Sequence, residues 1–229
     1  MATAPLAVLR LQNTVAPRLP AAPTEYSDRF QEQFESILRL YFNQIDATFA
    51  GLLGADPANG TFAGGRFLNF PYGSFYDDTT QTAASTTVAY PITLAHTAIS
   101  NTIAVVSGSR ITATYAGIYN IQFSVQLANT TNAPQDIDIW FKLNGTDIAQ
   151  SNSRFGLAAR KGPSDPYHTV GTVNLFVEMQ GGQYVELYWC TTDVGAQIQT
   201  YAAGTGPTRP AVPSVIVTAN FVSALSTRT

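Results

Sequence analysis

Charge is what this chain has least of. Its 229 residues include 12 Lys and Arg and 15 Asp and Glu, 12% of the whole, about half the share usual in a soluble domain. One copy alone would cover its surface poorly with ionised groups, so part of that surface is expected to be hidden in contacts between copies. The net charge is −3, and the longest basic cluster is the pair Arg160-Lys161. Without a basic stripe there is no footprint for nucleic acid. There is one cysteine, so no intrachain disulfide staples the fold. Cys190 sits in the apolar run Val185 to Cys190 and reads as a small buried hydrophobe rather than a nucleophile. No run of about 18 apolar residues offers a membrane span. Met1 to Arg10 has no basic start and no long apolar stretch, so it does not read as a signal peptide, and synthesis in a cytoplasm is expected.

The residues of catalysis are scarce too. The two histidines, His96 and His168, are far apart, and neither has a Cys or carboxylate at metal-ligand spacing. No Gly-x-Ser-x-Gly elbow and no phosphate-binding glycine loop occurs. Asp136 and Asp138 share one face of one strand, the kind of pair a sugar hydrolase or a calcium site would use, and Asp77-Asp78 is similar. The plainer reading is a solvated strand face. No enzyme activity, catalytic residue, cofactor or metal site is expected.

What is present divides the chain into four regions. Residues 1–24 carry Pro5, Pro17, Pro20 and Pro23, which forbid regular helix or sheet. Between them stand Leu6, Val8, Leu9, Leu11, Val15 and Leu19, apolar teeth that suit an extended arm binding another protein better than a disordered tail. Over 25–50, Tyr26, Phe30, Phe34, Ile37, Leu38, Tyr41, Ile45 and Phe49 recur at spacings of three and four, which predicts a helix. Thr24 or Ser27 can cap it, and Gly51 and Gly54 can end it. A helix this short is marginal alone, so its aromatic stripe is expected to pack, either in a bundle of three copies or against a larger body. Residues 51–70 are glycine-rich and read as a linker.

From 71 to the C-terminus the pattern is β. Tyr119, Ile121, Phe123, Val125 and Leu127 alternate with Asn120, Gln122, Ser124 and Gln126. Ile137, Ile139, Phe141 and Leu143 alternate with Asp136, Asp138, Trp140 and Lys142, and Asn144-Gly145 follows as a tight hairpin turn. Val170–Met179 and Gln183–Cys190 read as a further pair around Gly181-Gly182, and 215–222 as the last strand. Eight to ten strands without helix imply a sandwich or jelly roll. The second faces of these strands are rich in Ser, Thr, Asn and Gln with interspersed aromatics, a composition suited to contacts between subunits. The fold class expected is mainly β: an extended arm and one helix, then a jelly-roll sandwich.

The run Ala116-Gly117-Ile118-Tyr119-Asn120-Ile121, followed by Trp140-Phe141-Lys142-Leu143-Asn144-Gly145, resembles the complement globular head and tumour-necrosis-factor-like jelly rolls. Phe176, Gly182, Tyr184 and Val185 resemble a late segment of that family, although Ile121 stands where the family often has an aromatic. The resemblance covers about residues 71–225 and implies a ten-stranded sandwich that forms a compact homotrimer. A second likeness is to virion proteins of phages of marine bacteria and cyanobacteria. It rests on Asn69-Phe70-Pro71-Tyr72-Gly73-Ser74-Phe75-Tyr76, Asp138-Ile139-Trp140-Phe141, Ser151-Asn152-Ser153-Arg154, Pro207-Thr208-Arg209-Pro210 and Tyr41-Phe42-Asn43-Gln44. It implies a structural role in the virion, as a fibre, spike or capsid decoration, with the N-terminal arm attached to a capsid, portal or tail-adaptor protein. The alternative is a receptor-binding head for a host surface glycan. Its contact is expected in the long loop 156–168, with Arg160, Lys161, Tyr167 and His168, because recognition sits on loops carried by rigid scaffolds.

Overall fold

The computed structural model describes residues 17–21, 24, 25, 27–53 and 70–225, and the chain divides into two units, Met1–Phe70 and Pro71–Thr229. In the first, helix α1 spans Asp28–Leu53. Ser27 caps it: its Oγ accepts the Phe30 N–H at 3.4 Å, and Asp28 stands in the positively polarised first turn. The helix starts three residues later than the spacing predicts and continues through Gly51, because one glycine in a helix carries only a modest conformational penalty. Phe30, Phe34, Ile37, Leu38, Tyr41 and Ile45 are half-buried, and the Phe30 and Phe34 rings stack with centroids 6.2 Å apart. Leu19 is exposed. Leu6, Val8, Leu9, Leu11, Val15, Tyr26, the Phe49 side chain and linker residues 54–69 lie outside the described residues.

Among the described residues, the second unit is built from fifteen strands. In chain order they are β1 Tyr72–Asp77, β2 Tyr90–Pro91, β3 His96–Asn101, β4 Ile103–Val106, β5 Arg110–Ala113, β6 Gly117–Asn129, β7 Gln135–Leu143 and β8 Thr146–Asp147, then β9 Ser153–Leu157, β10 Tyr167–Met179, β11 Tyr184–Thr191, β12 Ala196–Ile198, β13 Gly204–Thr205, β14 Thr208–Arg209 and β15 Val215–Ser223. They form two main antiparallel sheets. The first runs β10-β6-β15-β1-β3, with β12 also on β6. The second runs β4-β5-β11-β7-β8, with β2 on β11 and β9 on β7. The chain passes repeatedly from one sheet to the other, and its last long strand lies between two earlier ones. This strand order makes the unit a jelly-roll sandwich.

The period-two alternation decides which side of each strand is inside. Tyr119, Ile121, Phe123, Val125 and Leu127 of β6 face Ile137, Ile139 and Phe141 of β7, all at most 1% exposed. Phe123 meets Phe141 across the sandwich with centroids 5.7 Å apart. Val185, Leu187 and Trp189 of β11 and Val215, Val217 and Ala219 of β15 complete the core. The turn at Asn144-Gly145 has φ values of 49° and 82°, as a two-residue hairpin with the sheet's twist requires.

One expected pairing is overturned. β10 and β11 do not pair around Gly181-Gly182. β10 pairs with β6 along its full length, and β11 pairs with β7 and β5 in the other sheet. The glycines turn the chain from sheet to sheet: a Cβ on Gly181 would lie 2.9 Å from the Thr114 carbonyl oxygen. Cys190 also departs from expectation. It points away from the core, beside Asp138, and is half-buried.

Candidate assembly interface

The two sheets turn different surfaces outward. In the second sheet β11 and β7 run side by side, so Glu186 lies opposite Lys142, Tyr188 opposite Trp140 and Cys190 opposite Asp138. Ion pairs fill this face. Arg154 grips Asp138 through Nε at 3.0 Å and a terminal nitrogen at 2.9 Å. Lys142 reaches Asp147 at 3.2 Å and covers the Tyr188 ring at 4.4 Å. Trp140 Nε1–H donates to Asp147 at 2.7 Å. That bond, with Lys142 beside it, holds the Asp147 carboxyl below the usual carboxylate range. Arg110 approaches buried Glu186 at 3.6 Å, which also accepts from Ser109 Oγ at 2.7 Å. This face is one that water can wet.

The first sheet is the opposite. Among its six strands the Asp, Glu, Lys and Arg residues are Asp77 and Glu178 alone, and Asp77 is buried at the end of β1. There it accepts from the Thr79 backbone N–H and from Thr93 Oγ1, both at 2.8 Å. The outward residues follow from the registers. One row reads Phe176, Asn120, Asn220, Tyr72 and Asn101 from β10 to β3. The next reads Asn174, Gln122, Thr218, Ser74 and Ile99, and a third reads Thr172, Ser124, Ile216, Tyr76 and His96. Uncharged amides and hydroxyls alternate with large apolar side chains left in solvent. Ile99 is 62% exposed, Phe176 59% and Val170 53%, and Tyr72, Ile216 and Val222 are exposed with them. A shallow groove of about 330 Å³ lies between Tyr72, Gly73, Ser74, Ile99, Thr218 and Asn220. Exposed apolar side chains are thus interspersed with uncharged polar groups across this face.

Two buried side-chain oxygens among the described residues make no hydrogen bond, Asn120 Oδ1 and Thr102 Oγ1. Asn120 stands in the first row, and Thr102 directly follows Asn101 at its far end. Thr102 also has φ of 56°, a left-handed conformation that is rare for a β-branched residue. An unsatisfied buried oxygen costs about 1–3 kcal/mol.

The loop predicted to contact a receptor is shorter than expected, since β9 reaches Leu157 and β10 begins at Tyr167. Arg160 is tied down within the chain. Its Nε donates to Asn132 Oδ1 at 2.6 Å, and a terminal nitrogen reaches the Thr130 and Pro163 carbonyls at 3.4 Å. The Lys161 side chain is exposed. Tyr167 packs against the core. His168 meets Tyr201 Oη through Nδ1 at 2.5 Å, and burial pushes the Tyr201 phenol up. Arg160, Tyr167 and His168 are thus each engaged within the chain around residues 128–132, and Lys161 stays exposed. Asp136 and Asp138 share an outward face, but Asp138 is held by Arg154 and by Asn152 at 3.1 Å. Burial, and then the Asp138 charge, push the Cys190 thiol up. Among the described residues no group of three or more His, Cys, Asp and Glu could hold a metal ion, and no helix is long and apolar enough to cross a membrane. Sequence reasoning caught the uncharged second faces but not that they gather on one sheet, nor that Ile99 and Val170 join them. The available signal was the absence of charge from residues 117–129 and 215–223.

No family model and no curated protein matches the chain. Among solved structures, the globular domain of zebrafish complement 1qA protein is similar, with 12% sequence identity over 68% of this chain and 98% of that one and a TM-score of 0.40. The jelly-roll assignment rests on the strand order given above.

Proposed function

We propose that this chain is a non-enzymatic structural protein whose jelly-roll head assembles with copies of itself through the outward face of the β10-β6-β15-β1-β3 sheet. The observation that carries this is the contrast between the two sheets: the second holds seven charged side chains in its strands, and the first keeps its outward face almost free of charge while exposing Phe176, Val170, Ile216 and Ile99. Solvent contact does not call for such a face, and a contact with an identical uncharged surface does. Three copies is the number implied by the sequence resemblance. The second likeness, to virion proteins of phages of marine bacteria and cyanobacteria, supports a place on a phage particle, as fibre, spike or capsid decoration, with residues 1–24 as the attachment to another virion protein and the aromatic stripe of α1 as a packing surface.

Two measurements test this. Sedimentation of the full chain at micromolar concentration is expected to show one oligomer of three copies, and a stable single-copy species would overturn the assembly. Deleting residues 1–24 is expected to abolish incorporation into particles while leaving the oligomer intact. A truncated protein that still joined the particle would remove the arm from its attachment role.

A further inference from the structure

We infer that β10 joins two copies of this chain edge to edge, each copy's β10 pairing antiparallel with the other's about a two-fold axis at Val173. This goes beyond the face contact, because it uses the edge of the strand and leaves its face open. β10 is the outermost strand of the first sheet and pairs with β6 through all 13 of its residues without a bulge. Among the described residues no backbone bond reaches its other side, so alternate N–H and C=O groups there have no strand to pair with. Sheet edges are ordinarily blunted by shortness, a bulge, Lys or Pro. β3, at the opposite edge, has 6 residues and a register shift against β1. β10 is long and regular, holds no Pro, Lys or Arg, and has Glu178 as its one acid. Its inward-facing Val173 and Leu175 stay half-buried, as they would where the sandwich ends at an uncovered edge.

The side chains identify the partner and the register. Side chains alternate across a sheet, so self-pairing keeps like faces together only with its axis on a residue. With the axis at Val173, the exposed row of one strand meets the same row of the other. Phe176 then lies opposite Val170, Asn174 opposite Thr172 and Glu178 opposite His168, and each pair occurs twice, as a two-fold contact requires. Phe176 and Val170, 59% and 53% exposed, cover each other as a cross-strand pair. Glu178 meets an imidazole whose Nδ1 is taken by Tyr201 Oη, which leaves Nε2 for the carboxylate. An axis at Thr172 would set Phe176 against His168 and Asn174 against Val170. An axis at Asn174 would set Glu178 against Val170. The strand is thus complementary to itself in one register, and the partner is a second copy. One strand edge is a small contact, so it forms at higher concentration than the face contact and links two oligomers where the faces have assembled.

Disulfide capture tests this. Thr172→Cys and Asn174→Cys are made separately in the full chain with Cys190→Ser. The two positions face each other directly across the axis, within reach of a disulfide, whereas each is out of step with its own copy. Mixed at high micromolar concentration under mild oxidation, the two proteins are expected to form the mixed dimer at least tenfold faster than either links to itself. A mixed dimer that forms no faster would overturn the pairing. Glu178→Lys in both proteins puts a base opposite His168 and is expected to slow capture at least fivefold; an unchanged rate would overturn the register. Hydrogen exchange of wild type needs no substitution. Raising the concentration is expected to protect amides of β10 and to leave those of β3 unchanged. Protection of β10 that ignores concentration and is lost on deleting residues 1–24 would give the edge to the chain's own arm and overturn the pairing. Sedimentation separates the two contacts. A mixed dimer from protein that is otherwise single-copy would sink the face assembly and leave the edge pairing standing, and three-copy oligomers without the mixed dimer would do the reverse.

Discussion

Truncating Phe176 to alanine separates the energetics of the contact from those of the fold. Phe176 lies on β10, an edge strand of its sheet, and is 59% exposed. A phenylalanine presents about 200 Å², so about 120 Å² remains for a partner to cover, worth about 3 kcal/mol at about 25 cal/mol per Å². At about 1.4 kcal/mol per tenfold, each contact in Phe176→Ala should weaken by about two orders of magnitude. The fold itself should hardly respond, because a surface truncation away from caps and networks shifts stability by about 0.5 kcal/mol or less. Phe123→Ala is the counterpart: Phe123 is 1% exposed, and its loss should cost about 3–5 kcal/mol of unfolding free energy. Sedimentation velocity through the micromolar range reads association, and urea unfolding of dissociated protein reads the fold. An oligomeric wild type indistinguishable from Phe176→Ala on dilution would refute the placement of the contact.

Other consequences follow from particular bonds. Ser109→Ala removes the 2.7 Å donor to buried Glu186 and should lower stability by about 1–3 kcal/mol in urea unfolding; no change would mean that Arg110 alone suffices. Ala-Ala in place of Asn144-Gly145 forces ordinary residues into φ of 49° and 82°, at about 1–2 kcal/mol per residue, seen as a lower unfolding midpoint. Burial and the Asp138 charge hold the Cys190 thiol up. Fewer thiolates then form at neutral pH, and Asp138→Asn should move the pH profile of thiol labelling to lower pH; an unmoved profile would discard that coupling. Arg154→Ala should cost about 1–3 kcal/mol in urea unfolding, because the Asp138 carboxylate, only 13% exposed, loses two hydrogen bonds; no change would show that Asn152 and water suffice.

The parts of the fold legible in sequence were those where burial repeats locally. The alternation of Tyr119 through Leu127 and of Ile137 through Phe141 announced strands and their inner faces, because one side of each is buried and the other is not. Asn144-Gly145 announced its turn for an equally local reason. β3 was missed because nearly all of His96–Asn101 is exposed, leaving no apolar alternation to detect. The partners of β10 and β11 were misjudged because two strands around a Gly-Gly pair look alike whether they pair with each other or part company. That choice is made by residues 117–129 and 135–143, far along the chain. The contact face was half legible: uncharged polar residues could be seen to alternate, but only the registers bring Phe176, Asn120, Asn220 and Tyr72 into one row.

The pairing of β1 with β15, Tyr72 opposite Asn220, also governs the order of events at the ribosome. The strand that joins β1 to β6 is made after the other described strands, so the first sheet stays divided until residues 215–223 have emerged. Closing so long a loop is slow, as for other folds dominated by distant pairings. Until β15 arrives, β1 and β6 each offer an open edge to any extended chain nearby. Messages truncated before residue 215 should therefore yield insoluble product rather than a smaller working head.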